Sequence, residues 1–293
     1  MKGLHKLEGS IDPNLMQKTK IVCIGIGGSN QLCESLVRSN LGTLVCIDFD
    51  TVDETNIISQ GYYYNEIGLP KVEALGNRVR RVNPYINYNA VNSDILKMRD
   101  KEIDLLFHDA DLILVMTDNF YAQAKGNLLA LKYNIPAVFA MMYSKARCSE
   151  VFFWIPKITP GCYRCAVSPR YKEYFENNYK NDVEAKAFTI LHVQYLNSII
   201  GLVTLAILHR NLLNLEMGNW FGDFWDKNFI QIRMHPNYSM GEGNLFSRTF
   251  GSISSVFNFD TIWQEIEQER PPKYDYFCPD CCQMERKECG VNA

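Results

Sequence analysis

The sequence lacks a strong excess of charge of either sign. Its 293 residues include 30 lysines and arginines against 33 aspartates and glutamates, for a formal net charge of −3. Proteins that bind nucleic acid or anionic membranes electrostatically carry a basic excess, so the composition argues against both partners. The short basic group of Arg78, Arg80 and Arg81 is predicted to lie on the solvated face of a helix.

Long hydrophobic segments are missing too. Residues 1–14 have no apolar core, so we expect no signal peptide. The longest apolar run, Tyr195–Leu208, contains Asn197 and Ser198 and is too short to span a bilayer, which favours a buried helix. Ten cysteines without a secretion signal are typical of reduced thiols and metal ligands in the cytoplasm. No repeat, low-complexity tract or linker divides the chain, so we expect one domain over residues 1–293.

The chain does contain an apolar strand, a glycine turn, a helix and a second strand in succession, ending at Asp48. The turn holds three glycines: Gly25, Gly27 and Gly28. Glycines let the backbone approach a phosphate, and the following helix N-terminus adds free N–H groups. Asp48 lies about 20 residues past the turn, where a carboxylate accepts hydrogen bonds from ribose hydroxyls. The pattern predicts a nucleotide site, although Asn30 stands where the dinucleotide fingerprint has its third glycine.

Strands and helices alternate along the next part of the chain. The further predicted strands are Ile86–Val91, Leu112–Met116, Ala137–Met142 and Val151–Ile155. The predicted helices are Pro13–Lys18, Lys71–Val82, Tyr121–Tyr133 and Phe188–Leu208. We expect a loop over residues 48–70, an exposed loop or crossover over 161–184, and short strands and turns over 210–275, for example Phe229–Met234. This alternation predicts an α/β fold with a Rossmann-like, twisted, mostly parallel sheet covered by helices on both faces. Ligands bind such sheets at the carboxyl ends of the strands, where the glycine turn, Asp48 and Asp118 all lie.

Two Cys-x-x-Cys pairs, Cys162/Cys165 and Cys278/Cys281, each have the spacing of half a tetrahedral zinc site. Four thiolates leave no open coordination position, which favours a structural zinc. Two alternatives stay open: coincidence in a cysteine-rich chain, and Cys282 in place of Cys281. The other cysteines divide into two groups. Those in core patterns are Cys23, Cys33 and Cys46, and those left as candidates for a reactive thiol are Cys148, Cys282 and Cys289.

Six motifs, taken in order, resemble the adenylyltransferase family of ThiF, MoeB and the ubiquitin-activating enzymes. They are GIGGSN (Gly25–Asn30), IDFDTVDETNI (Ile47–Ile57), GLPKVEAL (Gly68–Leu75), RVNP (Arg81–Pro84), MTDN (Met116–Asn119) and PGCYRC…CPDC. The resemblance covers residues 18–209 and the last cysteine pair. Residues 210–275 have no counterpart that we can assign and are interpreted as a family-divergent insertion.

The resemblance implies an ATP-binding fold, usually a homodimer, that adenylates the C-terminal glycine carboxylate of a ubiquitin-like or sulfur-carrier protein. It implies that Asp48 holds the ribose and that the Gly25–Gly28 backbone lines the nucleotide. Asn56 and Lys71 would contact phosphates, Asp118 would bind Mg²⁺, and Asp50 and Gln60 would complete the nucleotide site. The catalytic residues would be Lys71, Asp118 and Asn56.

Four of these residues have an ordinary alternative. Lys71 can be a surface lysine, Asp118 a helix cap, and Asp50 or Asn56 a turn residue.

Two departures from the family pattern bear on catalysis. Ser59 replaces an arginine that commonly precedes the glutamine, and no arginine occurs before Arg38, where many dimeric members supply one to the partner subunit. Lysine does not replace the arginine fork without loss. Either another arginine (Arg78, Arg147, Arg164 or one from a partner) takes over, or the chemistry is slow. A catalytically weakened nucleotide- or partner-binding adaptor of the same fold is therefore the alternative function.

Residues 166–190 contain no cysteine for a thioester. The product would then leave as an acyl-adenylate or pass to a separate protein's thiol or sulfur acceptor, with a conjugating enzyme as a further expected partner. An NAD-dependent oxidoreductase is disfavoured, because nothing supplies a hydride-transfer base.

Overall fold

The computed structural model describes residues 3–181, 186–235 and 261–282. Its centre is one eight-stranded sheet with the spatial order β3-β2-β1-β4-β5-β6-β7-β8. The strands are β1 (Lys20–Ile24), β2 (Thr43–Ile47), β3 (Asn87–Val91), β4 (Leu112–Val115), β5 (Ala137–Met142), β6 (Cys148–Trp154), β7 (Phe229–Arg233) and β8 (Thr261–Gln264). The first five are parallel, and β6, β7 and β8 are added antiparallel. The predicted mostly parallel sheet is confirmed.

Helices cover both faces of this sheet. They are α1 (Pro13–Lys18), α2 (Asn30–Arg38), α3 (Glu54–Gln60), α4 (Lys71–Val82), α5 (Asp100–Phe107), α6 (Phe120–Tyr133), α7 (Tyr163–Ala166), α8 (Ser168–Phe175) and α9 (Ile190–His209). Short 3₁₀ helices cover Leu4–Leu7, Tyr64–Glu66 and Ser144–Ala146. Side chains alternate along each strand, so β1 sends Ile21 and Cys23 into the core beneath α2, α4 and α9, and Val22 and Ile24 into the core beneath α5 and α6.

The strand order reverses between β1 and β4. From β1 the chain winds outward through β2 to β3, and it then returns to the other side of β1 as β4 and continues to β5. In open α/β sheets, ligands bind in the crevice that opens at such a switch point, outside the carboxyl ends of the strands. The turn after β1 and the segment after β4 therefore face the same crevice.

Two segments that we expected to be loops contain helices. Residues 48–70 include α3, which starts with a capping box: the Asp53 carboxylate accepts from the Thr55 and Asn56 N–H groups, and the Asn56 side chain accepts from the Asp53 N–H. Residues 161–184 include α7 and α8, and they are anchored by Tyr163 and Tyr171, which are only 2% and 4% exposed. The polar, tyrosine-rich composition of residues 161–184 suggested an exposed segment, because composition alone does not show that Tyr163 and Tyr171 are buried.

The prediction that Arg78 is solvated is wrong, whereas Arg80 and Arg81 are exposed as expected. Arg78 is 5% exposed, and its Nε and Nη2 atoms donate to the two Glu66 oxygens at 2.8 and 2.6 Å. Its Nη1 atom donates to the Gly61 carbonyl at 3.1 Å. The guanidinium also lies over the Tyr62 ring, 4.8 Å from the centroid. The ion pair therefore fastens α4 to the segment that follows α3.

The prediction that the apolar segment Tyr195–Leu208 is too short to span a bilayer is wrong, because helix α9 has 20 residues and by length and composition alone could cross a membrane. In this fold it packs on α2, α3 and β5, and its inward-facing side chains, such as Val203 and Ile207, are fully buried in the core. The prediction of a buried helix is thus met by the packing of its inner face, while Leu191 and Leu202 on its outer face are exposed.

We expect Arg78→Met to lower the free energy of unfolding by on the order of 3 kcal/mol, because the buried Glu66 carboxylate would lose its partner. Urea denaturation followed by circular dichroism measures this loss. The matched control is Arg81→Met on the exposed side of the same helix, which should cost less than about 0.5 kcal/mol. Equal losses in the two variants would show that the Arg78–Glu66 pair does not hold the segment.

Candidate nucleotide site and cysteine cluster

The glycine turn (Gly25–Gly28) follows β1 at the switch point. Gly25 has φ +81°, and a Cβ built there would lie 2.9 Å from both the Met116 carbonyl oxygen and the Thr117 Cβ. Its N–H donates to the Ile47 carbonyl at 2.9 Å. A side chain at Gly25 would therefore push apart the ends of β1 and β4, which explains why the position needs glycine.

The turn is held from two directions. The Gln60 side chain lies against Gly27, 3.2 Å from where a Cβ would be, and Val193 of α9 lies 3.0 Å from the corresponding position at Gly28. Asn197 of α9 donates from Nδ2 to the Gly28 carbonyl at 2.8 Å. Ser29, the N-cap of α2, turns its hydroxyl back to the Gly25 carbonyl and makes no capping bond to the helix. The first N–H groups of α2 thus keep the geometry that binds anions.

Asn30 explains the missing third glycine. It is fully buried, and its Nδ2 atom donates to the carbonyls of Gly27 and Gln60 at 2.5 and 2.6 Å. Its Oδ1 atom accepts from Arg78 Nη1 at 3.0 Å. In the dinucleotide fingerprint a glycine here lets the helix pack closely on the strand. In this chain the Asn30 side chain instead joins the glycine turn to the end of α3 by hydrogen bonds.

Asp48 lies where the sequence predicted, directly after β2. Its Oδ2 atom accepts from the Ile26 N–H at 2.8 Å and its Oδ1 atom from the Asp50 N–H at 2.9 Å. Burial raises the pKa of this carboxyl, while the two N–H donors and the nearby Lys71 charge act in the opposite direction. Both oxygens are thus oriented by backbone within the crevice.

Lys71 is not a surface lysine. It is the first residue of α4, it is 4% exposed, and its ammonium group lies 2.9 Å from Asp50 Oδ2. The Lys71 N–H also donates to the Asp50 carbonyl at 2.9 Å. Asp50 is half exposed and is therefore an ion-pair partner of Lys71 as well as part of the turn. A buried ammonium with a single exposed carboxylate partner is well placed to meet a second anion.

Asn56 and Gln60 occupy different settings on α3. Asn56 is 6% exposed and its Oδ1 atom is engaged by the Asp53 N–H at 3.1 Å, so its side chain serves the helix cap. Its Nδ2 atom makes only a 3.3 Å contact to Thr55 Oγ1. The Oε1 atom of Gln60 is buried without a hydrogen-bond partner among the described residues. Such an orphaned atom beside the glycine turn fits a ligand that donates a hydrogen bond.

Asp118 follows β4 on the other side of the crevice. Its carboxylate is exposed, and the helix cap is instead its neighbour: the Asn119 side chain accepts from the Ala122 N–H at 3.1 Å. The alternative in which Asp118 caps α6 is therefore wrong. An exposed carboxylate at the carboxyl end of a central strand suits a magnesium ligand.

Two of the arginines that we considered as substitutes are committed elsewhere. Arg78 is paired with Glu66, and Arg164 pairs with Asp280 Oδ1 at 3.0 Å beside the cysteines. Arg147 is exposed in the turn between β5 and β6, at the same edge of the sheet as Asp118. Of the three candidates for the missing arginine, Arg147 is therefore the one that takes part in neither of these ion pairs.

The four predicted cysteines meet in one cluster. The sulfur atoms of Cys162, Cys165, Cys278 and Cys281 all lie within 4.8 Å of one another. The closest separations are 3.7 Å for Cys165–Cys281 and 3.9 Å for Cys162–Cys278. Four sulfurs placed tetrahedrally about 2.3 Å from a zinc ion would be about 3.8 Å apart, so the cluster fits zinc. Cys282 lies 4.0 Å from Cys281 but outside the set of four.

Side chains around this cysteine cluster were missed by the sequence reasoning. Asn127 of α6 donates from Nδ2 to Cys162 Sγ at 3.6 Å and to Asp280 Oδ2 at 2.8 Å. Arg164 and Asp280 occupy the same position in the two Cys-x-x-Cys pairs and carry opposite charges. That pattern in the sequence could have predicted their ion pair. These contacts orient the cysteine side chains, as outer polar groups orient the ligands of known metal sites.

The remaining thiols are poor nucleophiles where the structure describes them. Cys148 is fully buried, and burial, followed by the Glu150 charge, raises its pKa to about 12. Cys282 is 2% exposed. The prediction that either one reacts is disfavoured, since reactive cysteines are accessible and have lowered pKa values. Cys289 lies outside the described residues. The core thiols Cys23, Cys33 and Cys46 are fully buried, as predicted.

The chain is similar in sequence to known proteins. The sequence model of the ThiF family matches residues 12–238. The chain is 28% identical over 152 residues to molybdopterin-synthase adenylyltransferase of Escherichia coli K12. The matched region covers 51% of this chain and 59% of the relative. It is 30% identical over 129 residues to ubiquitin-like modifier-activating enzyme 5 of Caenorhabditis elegans, covering 41% of this chain and 30% of the relative.

Solved structures show the same fold. The crystal structure of E. coli MccB with ATP superposes with a TM-score of 0.62 at 17% identity, covering 92% of this chain and 68% of that chain. Because the family model spans well over half of the sequence, the comparison settles membership. This chain belongs to the ThiF family.

Proposed function

We propose that this chain is an ATP-dependent adenylyltransferase. It activates the C-terminal glycine carboxylate of a ubiquitin-like or sulfur-carrier protein and releases pyrophosphate. The observation that carries the proposal is where Asp48, Lys71 and Asp118 lie relative to the glycine turn at the switch point. Asp48 accepts from the Ile26 N–H of that turn, and the Lys71 charge acts on the Asp48 carboxyl. Asp118 directly follows Thr117, which lies against Gly25. The orphaned Gln60 Oε1 atom and the uncapped N-terminus of α2 support a bound nucleotide at the same place.

In the proposed reaction, a carboxylate oxygen of the carrier attacks the α-phosphorus of ATP. The new C–O–P bond forms as the bond to the β-phosphate oxygen breaks, and that oxygen leaves with the electron pair as pyrophosphate. Two anions must approach each other, so the site must offset negative charge in the transition state. Lys71 does this from a buried position, with α4 N–H groups adding to its field, and Asp48 fixes the ribose.

Mg²⁺ would be held by the exposed Asp118 carboxylate, and when bound it neutralises charge on the phosphates. Asn56 supports the site by ordering the start of α3, and its Nδ2 atom is the part of the side chain that can turn to a phosphate. Asp50 balances Lys71 before the nucleotide arrives.

Lys71→Met and Asp118→Asn are each expected to slow ATP–pyrophosphate exchange by about 10²- to 10³-fold, because each removes charge stabilisation from the transition state. The assay uses a candidate carrier that ends in Gly-Gly. The matched controls are Lys132→Met and Asp104→Asn. Lys132 and Asp104 form an ion pair that joins α6 to α5, with the same 2.9 Å separation as Lys71 and Asp50. Exchange that survives in both site variants would refute the assignment.

We expect adenosine affinity to fall with decreasing pH, beginning above the ordinary aspartate pKa of about 3.9. Burial raises the pKa of Asp48, so the carboxyl takes up a proton at a higher pH than a free aspartate and then loses its capacity to accept from both ribose hydroxyls. Calorimetry with adenosine isolates this contact, because adenosine has no phosphate to titrate. Asp48→Asn should bind weakly with no pH dependence in this range; a wild-type pH dependence that persists in Asp48→Asn would contradict the role.

We propose that the cysteine cluster holds a structural zinc ion. The fit of the four sulfur positions to a tetrahedral thiolate set supports this. Four protein ligands would also fill the coordination shell and leave no open position for a catalytic water. Zinc there would bind α7 to residues 278–281, which come from the far end of the described chain.

Cys281→Ser should reduce zinc affinity by about 100-fold or more and lower the melting temperature, because it removes a ligand. Zinc content by elemental analysis and thermal unfolding measure both effects. Cys282→Ser is the matched control, with the same change one residue away, and it should retain one zinc per chain. Loss of zinc in Cys282→Ser but not in Cys281→Ser would assign the fourth ligand to Cys282.

A weakened adaptor of the same fold is the second candidate. The observation in its favour is that Arg78 and Arg164 are both committed to carboxylates, so neither replaces the arginine expected at Ser59. Ser59 itself donates to the Thr55 carbonyl at 2.7 Å within α3. Tight binding of ATP with Mg²⁺ by calorimetry argues against an adaptor that uses this groove for a partner, and a gain of turnover in Ser59→Arg supports a weakened member of the family.

We further propose that the enzyme is a cytoplasmic single-domain homodimer that hands its acyl-adenylate to a separate thiol, sulfur acceptor or conjugating enzyme. The buried state of Cys148 and Cys282 favours an external acceptor, and the exposed leucines of α9 favour a partner copy. Sedimentation velocity that shows only monomer would remove the dimer from this proposal.

A further inference from the structure

A buried glutamine contacts the backbone that presents Asp118. Gln123 lies in the first turns of α6 and is 1% exposed. Its Nε2 atom donates to the Thr117 carbonyl at 2.7 Å. That carbonyl belongs to the peptide that joins Thr117 to Asp118, so the hydrogen bond sets the orientation of the peptide plane from which the Asp118 side chain extends.

The other end of the Gln123 amide is attached to the cysteine cluster. Its Oε1 atom accepts from the Tyr163 hydroxyl at 2.8 Å, and Tyr163 lies between the first pair of cysteines. Arg170 approaches the same hydroxyl at 3.4 Å as a donor, which leaves the hydroxyl proton for Gln123. Both ends of the glutamine side chain are therefore used, and neither can rotate without leaving a buried group unpaired.

Tyr163 is itself rigidly placed. It is 2% exposed, and its ring stacks on Phe139 of β5 at a centroid distance of 4.2 Å and an interplanar angle of 5°. Its N–H donates to Asn127 Oδ1 at 3.0 Å, and the same Asn127 contacts Cys162 Sγ. An unbroken series of short contacts thus connects the cysteine cluster, through Tyr163 and Gln123, to the Asp118 backbone.

We propose that Gln123 and Tyr163 are positioning residues that hold the Asp118 carboxylate in the orientation that binds the divalent cation of the cation–nucleotide complex. Through them, the folded cysteine cluster raises the affinity of the nucleotide site for that cation. This inference rests on the proposed function, because it takes Asp118 as the cation ligand. It assigns to the cysteine cluster a role in the nucleotide site in addition to stability.

Nucleotide binding then has two contributions, one that is independent of a divalent cation and one that requires it. Asp48, Lys71 and the glycine turn bind the nucleotide without help from this series of contacts. The Asp118 carboxylate contributes only when a divalent cation is present. Disturbing Gln123 or Tyr163 should therefore weaken the cation-dependent part of the affinity and leave the rest unchanged, whereas general loosening of the fold would weaken both parts.

The test compares wild-type protein with Tyr163→Phe and Gln123→Met. Tyr163→Phe keeps the ring stacked on Phe139 and removes the hydroxyl alone, and Gln123→Met keeps the length of the side chain and removes both hydrogen bonds. Mn²⁺ affinity in the presence of ATP is measured by the loss of the free-ion electron paramagnetic resonance signal. ATP affinity without a divalent cation is measured by calorimetry. Tyr133→Phe, which loses a hydroxyl contact to Asp104 at the opposite end of α6, is the matched control.

We expect Mn²⁺ affinity to fall by roughly 3- to 10-fold in Tyr163→Phe, the effect of losing one buried hydrogen bond, and by at least as much in Gln123→Met, which loses two. Cation-free ATP affinity should stay within about twofold of wild type, and Tyr133→Phe should change neither value. The cobalt–thiolate absorption of the Co²⁺-substituted cysteine cluster should be the same in Tyr163→Phe and wild type, which shows that the cluster itself is intact.

Two outcomes would overturn the inference, and they are distinguishable. If Asp118→Asn loses the Mn²⁺ effect while Tyr163→Phe and Gln123→Met retain it, the positioning role is wrong and the proposed function stands. If wild-type protein shows no Mn²⁺-dependent binding of ATP, the proposed function is wrong and the inference falls with it. If Gln123→Met does not fold, Tyr163→Phe decides alone, since it leaves the packing in place.

Discussion

The contact between Gly25 and the end of β4 is the constraint on which the site depends. Two neighbouring parallel strands end here with no space for a single methyl group between the turn of one and the backbone of the other. This closeness fixes the glycine turn relative to the Asp118 segment across the switch point of the sheet. The residues proposed to bind the ribose, the phosphates and the cation come from distant parts of the chain, and the β1–β4 contact sets the distance between the glycine turn and the Asp118 segment.

Charge is distributed in pairs around this crevice, and each pair has a different degree of burial. Arg78 and Glu66 are both inaccessible, so their charges cancel and serve to hold α4 in place. Lys71 is buried but its partner Asp50 is half exposed, so that pair can open toward an arriving anion. The same residue types thus form a closed structural pair in one case and, in the other, the pair that we propose for nucleotide binding. The two pairs differ in the accessible surface of the carboxylate.

Sequence reasoning found the parts whose information is local. The apolar strands, the glycine turn, the position of Asp48 and the Cys-x-x-Cys pairs each depend on a few neighbouring residues, and they were predicted close to where they lie. Helix α3 was missed because its seven residues contain few apolar side chains and its start depends on the cap formed by Asp53 and Asn56. The burial of Arg78 was missed because periodicity along α4 does not reveal the Glu66 carboxylate facing it. Gln123 and Tyr163 were missed for the same reason, since their partners are 6 and 40 residues distant.

The cysteine cluster also has a consequence for how the molecule is made. One half of its ligands comes from Cys162 and Cys165 and the other from Cys278 and Cys281, with β7 and β8 between them in the chain. On the ribosome, the strands that surround the glycine turn emerge and can pair long before the second half of the ligand set exists. Capture of the proposed zinc ion would therefore be a late step in biogenesis, and a nascent chain arrested before residue 278 would have the strands around the glycine turn but only half of the four thiolates.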